Sequence, residues 1–145
     1  MSCPLYDHDF YAWTTKQAGL LRAGKLSEAD HEHIAEEIEN LGLREKRELI
    51  SHLTVLLRHL LKWEFQPVHR GASWRLSIAN TRDALTDHMA DNPSLQSMLE
   101  AGIDTAYRRA RRDAALETGL AESTFPASCP WSFGQMMAED FWPEA

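Results

Sequence analysis

"HLTVLLRHLLKW", residues 52–63, decides the fold class. Its apolar residues do not alternate, as those of a half-buried strand would. They recur at three and four, and a helix turning about 100° per residue gathers such positions on one face. Followed outward, Leu49, Leu53, Leu56, Leu57, Leu60, Leu61 and Trp63 make one broad apolar face on a helix from about Arg44 to Phe65. Pro67 stops it, because proline lacks the amide proton and disfavours helix in the residue before it.

The same punctuation recurs along the chain. Asp7 or Asp9 caps a first helix carrying Phe10, Trp13, Gln17, Leu20 and Leu21, with Gly24 placed to end it. Ser27 followed by Asp30 resembles a capping box and opens a second helix, whose core side would be Ile34, Ile38 and Leu41. Gly42 ends or bends that helix before the third begins. Ser73 caps a fourth helix with Trp74, Ile78, Leu85 and Met89, and Ser94 opens a fifth that runs to Gly119. "FPASCPW" is broken by prolines and expected to lie extended over the surface. Ser132 then caps a short last helix presenting Phe133, Met136, Met137 and Phe141. The expectation is all-α: a single-domain helical bundle over residues 1–145, with five main helices and a short C-terminal one.

Bulk properties narrow the function classes. A chain of 145 residues is one domain on length, large enough to bury about 70% of its unfolded surface. It carries 22 acidic and 15 basic side chains, a net charge of −7, which argues against general affinity for nucleic acid or anionic membrane. "MSCPLYDHDFYAW" lacks the basic and apolar regions of a signal peptide, and no apolar run reaches the roughly 20 residues that span a bilayer. Cys3 and Cys129 are too few for a disulfide scaffold. These readings place the protein in the cytoplasm and off the membrane.

Several stretches, taken in order, resemble one family. They are "YDHDFYAWTTKQAGLLRAGKL", "IAEEIENLG", "LLRHLLKWEFQP", "SWRLSI", "NPSL", "AYRRARRDAALETGL" and "FPASCPW". Together they are similar to the bacterial domain-of-unknown-function family 29 over nearly the whole chain. The resemblance implies a compact all-α bacterial domain with no established activity or cofactor. It also implies a capping residue such as serine after the "LG" step. Leu43 and Arg44 stand there instead, so a bent continuous helix is the alternative to two helices.

On the third helix Glu45, His52, His59 and Gln66 recur every seven residues along one border of the leucine face, with Glu48 a turn before His52. Border positions suit amphipathic side chains in any such helix. Seven residues rise about 10 Å, whereas zinc–nitrogen bonds are about 2 Å, so His52 and His59 cannot readily share an ion. Glu48 and His52 are better spaced, but two ligands are not a site. The one Glu-x-x-His element, Glu28 to His31, falls in a helix's first turn, and di-metal bundles need two. No metal ligand set and no cofactor is expected.

If the chain were an enzyme, His59 would be its acid–base group, Glu37 the partner, and Arg82 or Arg111 the holder of an anionic substrate. Glu37 lies nearest the core side of "AEEIE", and burial would oblige it to find an arginine such as Arg82 or Arg111. No Gly-x-Ser-x-Gly elbow or phosphate-binding glycine loop is present. Cys3 and Cys129 each precede proline, a pairing found in some haem ligands, but free core-edge cysteines are the plainer reading.

Arg108, Arg109, Arg111 and Arg112 wrap more than half of the fifth helix, with Asp104, Asp113 and Glu117 sitting among them. With "HRGASWR" they are the only candidate nucleic-acid surface, and pairing with the acidic second helix is the simpler account. The leading expectation is therefore protein–protein contact without catalysis, with an unidentified partner or a second copy. Candidate contact residues are His52, Trp63, Arg70, Trp74, Tyr107, Phe133, Met137 and Phe141.

Overall fold

The structure is a computed structural model describing residues 4–144. Among the described residues there are six α-helices and no strand: α1 (Pro4–His8), α2 (Phe10–Arg22), α3 (His31–Phe65), α4 (Ala72–Asp91), α5 (Leu99–Thr118) and α6 (Phe133–Met137). The protein is all-α. Four helices are long rather than five, because the expected second and third are one helix of 35 residues. Gly42 lies within it at an ordinary negative φ. An interior glycine costs a helix about 1 kcal/mol and does not have to break it. Cys3 lies outside the described residues.

Contacts sort the chain into two compact units, one up to Arg44 and one from Glu45 onward. In the first unit, Asp9 caps α2 by accepting from the Ala12 amide at 3.0 Å. Gly24 follows that helix with φ +74°, a conformation that costs glycine little. Asp30, not Ser27, opens α3. Its Oδ1 accepts from the His33 amide at 3.4 Å, while Ser27 sits in a 3₁₀ turn, Leu26–Glu28. The reason is tertiary: Trp13 Nε1 donates to Asp30 Oδ2 at 3.0 Å, and the Asp30 amide donates to Gln17 Oε1 at 2.8 Å. Trp13 and Gln17 are the buried residues of α2, so its inner face holds the start of α3 in place.

The second unit is built on the leucine face. Leu49, Leu53, Leu56, Leu57, Leu60 and Leu61 are fully buried together with Ile78 and Leu85 of α4 and Ala106, Ala110 and Ala114 of α5. The alanine row is small, and a Cβ added at Gly102 of α5 would already meet Leu53 Cδ1 at 3.7 Å. Two expected caps move. Gly71 precedes α4 with no side-chain cap, and Ser94 falls in a 3₁₀ turn, Pro93–Met98, that comes before α5. Proline at the start of that turn presets its φ, and the chain tightens before it widens into α-helix. Gly119 ends α5 at φ +77°, and Ser132 caps α6 with Gln135 in a reciprocal box.

"FPASCPW" is not simply draped over the surface. Phe125 is fully buried, 5.1 Å from Phe65 ring to ring, and the Tyr107 hydroxyl donates to the Pro126 carbonyl at 2.6 Å.

Candidate functional site

In the second unit α3 and α4 bring a polar seam together. Glu45, Glu48 and His52 occupy successive turns of α3, and α4 contributes His88 and, just past its end, the C-cap Asn92. His88 is 7% exposed, and its Nε2 donates to the Glu45 carbonyl at 2.8 Å. A carbonyl only accepts, so this bond assigns the proton to Nε2. In the neutral ring Nδ1 then presents a lone pair, facing Glu45 Oε2 at 3.6 Å and Glu48 Oε2 at 3.9 Å. His52 Nε2 lies 3.4 Å from Glu48 Oε1, and the two imidazole centroids are 6.1 Å apart. Asn92 Nδ2 donates to Glu45 Oε2 at 3.4 Å and to the His88 carbonyl at 3.1 Å.

Glu45, Glu48 and His88 each offer a ligand atom within 4.8 Å of the others. The heptad stripe on the third helix already marked Glu45 and His52, with Glu48 beside it. His88 and Asn92 were missed, although their spacing of four on an amphipathic helix was a visible signal.

The residues expected to form a buried catalytic set find partners elsewhere. His59 is 8% exposed and its Nδ1–H donates to the Val55 carbonyl of its own helix at 2.8 Å. Burial pulls its pKa below the ordinary imidazole value, a trend the Val55 bond only partly offsets. Arg82 is buried, and its Nε and Nη2 donate to the carbonyls of Met136 and Phe141 at 2.7 and 2.8 Å. Arg111 Nε donates to the Phe125 carbonyl at 3.3 Å, with Glu122 at 3.9 Å. Both arginines therefore hold the C-terminal tail of their own unit. Glu37, in the first unit, accepts from the Tyr6 hydroxyl, and that bond first of all pushes the phenol up to about 12.

Most of the expected contact residues serve packing. Trp63 is buried 4.7 Å from Trp142, with the Arg70 and Arg75 guanidinium groups 5.3 and 5.4 Å from its ring. Arg70 Nε also donates to the Trp63 carbonyl at 2.6 Å. Lys62 Nζ sits 4.9 Å over Trp74. Tyr107 is buried, which pushes its hydroxyl up to about 12. Phe133, Met137 and Phe141 pack partly buried against the core of their own unit. Only His52 of this set keeps an exposed edge in the polar seam. Cys129 is half-buried, and its Sγ–H donates to the Trp131 carbonyl at 3.4 Å. Arg108, Arg109 and Arg112 line a shallow polar groove with Thr105.

The first unit shows the reverse. Ile34, Ile38 and Leu41 have core spacing on α3, yet Ile38 is 63% and Leu41 55% exposed. Leu21, Leu26, Ala29 and Ala35 line the same apolar groove as Ile34 and Ile38. Beside it, His33 stacks on Tyr6 at 3.9 Å and its Nδ1 bonds Asp30 Oδ2 at 2.7 Å. That bond raises the His33 pKa above the ordinary value. Burial works to raise the Asp30 carboxyl, but the bonds from His33 and Trp13 outweigh it and hold the group low.

Fold and clusters together define a small all-α protein with one polar seam, one exposed apolar stripe and, among the described residues, no helix long and apolar enough to cross a membrane. Residues 5–142 match the family model described as Domain of unknown function DUF29, and the chain belongs to that family. No curated protein and no solved structure matches it.

Proposed function

We propose that this protein works by protein–protein contact without catalysis, and that the contact is made by the apolar stripe of the first unit with a second copy of the chain. The observation that carries the reading is the exposure of Ile38 and Leu41 at positions whose spacing belongs to a buried seam. Two features favour a second copy. The stripe is short and self-complementary, so an antiparallel pairing about a two-fold axis sets Ile38 of one copy against Leu41 of the other. Glu37 and Arg44 lie one heptad apart along one flank, and the same pairing brings each acid toward the other copy's base.

The catalytic reading has weaker support, since His59, Arg82 and Arg111 spend their hydrogen bonds on backbone carbonyls.

Sedimentation equilibrium tests the proposal. The wild-type chain is expected to dimerise, and Ile38→Glu to weaken the dimer by at least about tenfold. Completing the burial of a half-exposed isoleucine is worth roughly 1 kcal/mol, and the change counts once in each copy. Arg44→Glu should weaken it too, and Glu37→Arg combined with Arg44→Glu should restore it. A wild-type chain that stays monomeric at every concentration reached overturns the reading.

A further inference from the structure

We propose that Glu45, Glu48 and His88, with His52 at their edge, form a binding site for a single divalent transition-metal cation of the zinc class. The residues come from two helices of the second unit, and none of them belongs to the apolar stripe of the first.

Three observations carry this. The first is convergence. Ligands around one zinc, each about 2.1 Å from it, stand about 3.4 Å from one another in a tetrahedron. His88 Nδ1 is already 3.6 Å from Glu45 Oε2 and 3.9 Å from Glu48 Oε2, so small rotations of two glutamates complete the arrangement.

The second is the state of His88. It is more than nine-tenths buried, its Nε2 proton is committed to the Glu45 carbonyl, and its Nδ1 has no hydrogen-bond partner. A neutral imidazole ligated through one nitrogen, with the other nitrogen's proton given to a backbone carbonyl, is the usual disposition of a metal-binding histidine.

The third is charge and completeness. Two carboxylates and two neutral imidazoles sum to −2, which matches a divalent ion. His52 Nε2, 3.4 Å from Glu48 Oε1, reaches the fourth position by a rotation of its own side chain. Mixed nitrogen and oxygen donors favour zinc and its first-row neighbours over calcium or magnesium, which prefer oxygen alone. Asn92 Nδ2, 3.4 Å from Glu45 Oε2, orients that glutamate from outside the set.

The competing arrangement is a protonated His88 paired with the two acids, and a titration separates the two. Zinc added to the chelator-treated full chain is followed by calorimetry at neutral pH, and cobalt(II) by its visible absorption. One equivalent should bind saturably, with a cobalt spectrum showing nitrogen ligation. Glu48→Gln, a change that keeps the size of a largely exposed side chain, should weaken binding strongly, and His88→Asn by more than about 100-fold. Asn92→Ala should cost about tenfold, the lower range for a residue that only orients a ligand. Helicity by circular dichroism checks that each variant is folded. Absence of saturable binding overturns the site, as does binding that survives both Glu48→Gln and His88→Asn. Either result leaves the self-association untouched, because Ile38, Leu41, Glu37 and Arg44 are not altered.

Discussion

Arg82 and Met136 are joined across 54 residues: the buried guanidinium Nε on α4 donates to the carbonyl of Met136 in α6 at 2.7 Å. Its Nη2 reaches on to the carbonyl of Phe141 at 2.8 Å, and Trp142 lies 5.4 Å from the charged carbon. One arginine thus satisfies two carbonyls of a terminal segment whose own helix has only five residues. So short a helix does not persist alone, because nucleation fixes several residues for few bonds. Its stability comes from packing and from this clamp.

Arg82→Ala is therefore expected to destabilise the second unit by about 3 kcal/mol, since it removes two charge-assisted bonds and leaves carbonyls without partners. Arg82→Lys should recover less than half, because an ammonium cannot present two donors in the same planar fork. Urea unfolding gives the magnitude. Limited proteolysis should show early cleavage between Phe133 and Trp142. A variant whose tail stays protected would mean that Phe133, Met136 and Trp142 hold the segment without Arg82.

The two units should answer acid differently. Burial depresses the His59 pKa, so the unfolded chain takes the proton more readily. That contribution to stability is present above the unfolded value, about 6.5, and is lost as pH falls through the lower folded value. The second unit should weaken as the solution is acidified below about pH 6.5, and His59→Gln should flatten that slope. The midpoint of urea unfolding, followed by Trp63 fluorescence, reads it. An unchanged slope in the variant would assign the acid sensitivity to other groups.

His33 carries the opposite sign. Its bond to Asp30 raises the folded pKa, so its contribution is complete below about 6.5 and is lost as pH rises through the higher folded value. The first unit should tighten on going from about pH 8 to about pH 6, read as slower exchange of the Trp13 indole proton. Titration of the His33 ring by NMR should give a pKa above the ordinary value, and Asp30→Asn should return it there. The Asp30 carboxyl, held low, keeps its share of the pair until pH falls well below the ordinary carboxylate range.

Periodicity made the core legible, and it stopped at what covers a face. Leu49, Leu53, Leu56, Leu57, Leu60 and Leu61 of α3 recur at three and four, and all six lie buried. Ile34, Ile38 and Leu41 follow the same rule, yet Ile38 and Leu41 are more than half exposed, because spacing reports which side is apolar and not what lies against it. Capping was readable where a side chain acts locally, as at Asp9 and Ser132. It failed at Ser27, where contacts from Trp13 and Gln17 select Asp30 three residues on. The polar seam was half legible for the same reason. Glu45, Glu48 and His52 lie on one helix and can be placed by counting, whereas His88 joins them only through the register of α4 against α3.

Gly42 offers a test of the helix itself. As a terminator between two helices, glycine would adopt a left-handed conformation, and alanine there would cost about 1 kcal/mol. In the continuous α3 its φ is negative and a Cβ meets nothing within 4 Å. Gly42→Ala should then gain roughly 0.5–1 kcal/mol, because alanine loses less backbone entropy and prefers helix. Circular dichroism should show no loss of helicity, and the thermal midpoint should rise. The sign of the change decides: a fall in stability would mean that the chain breaks at Gly42, and a rise that α3 runs through it.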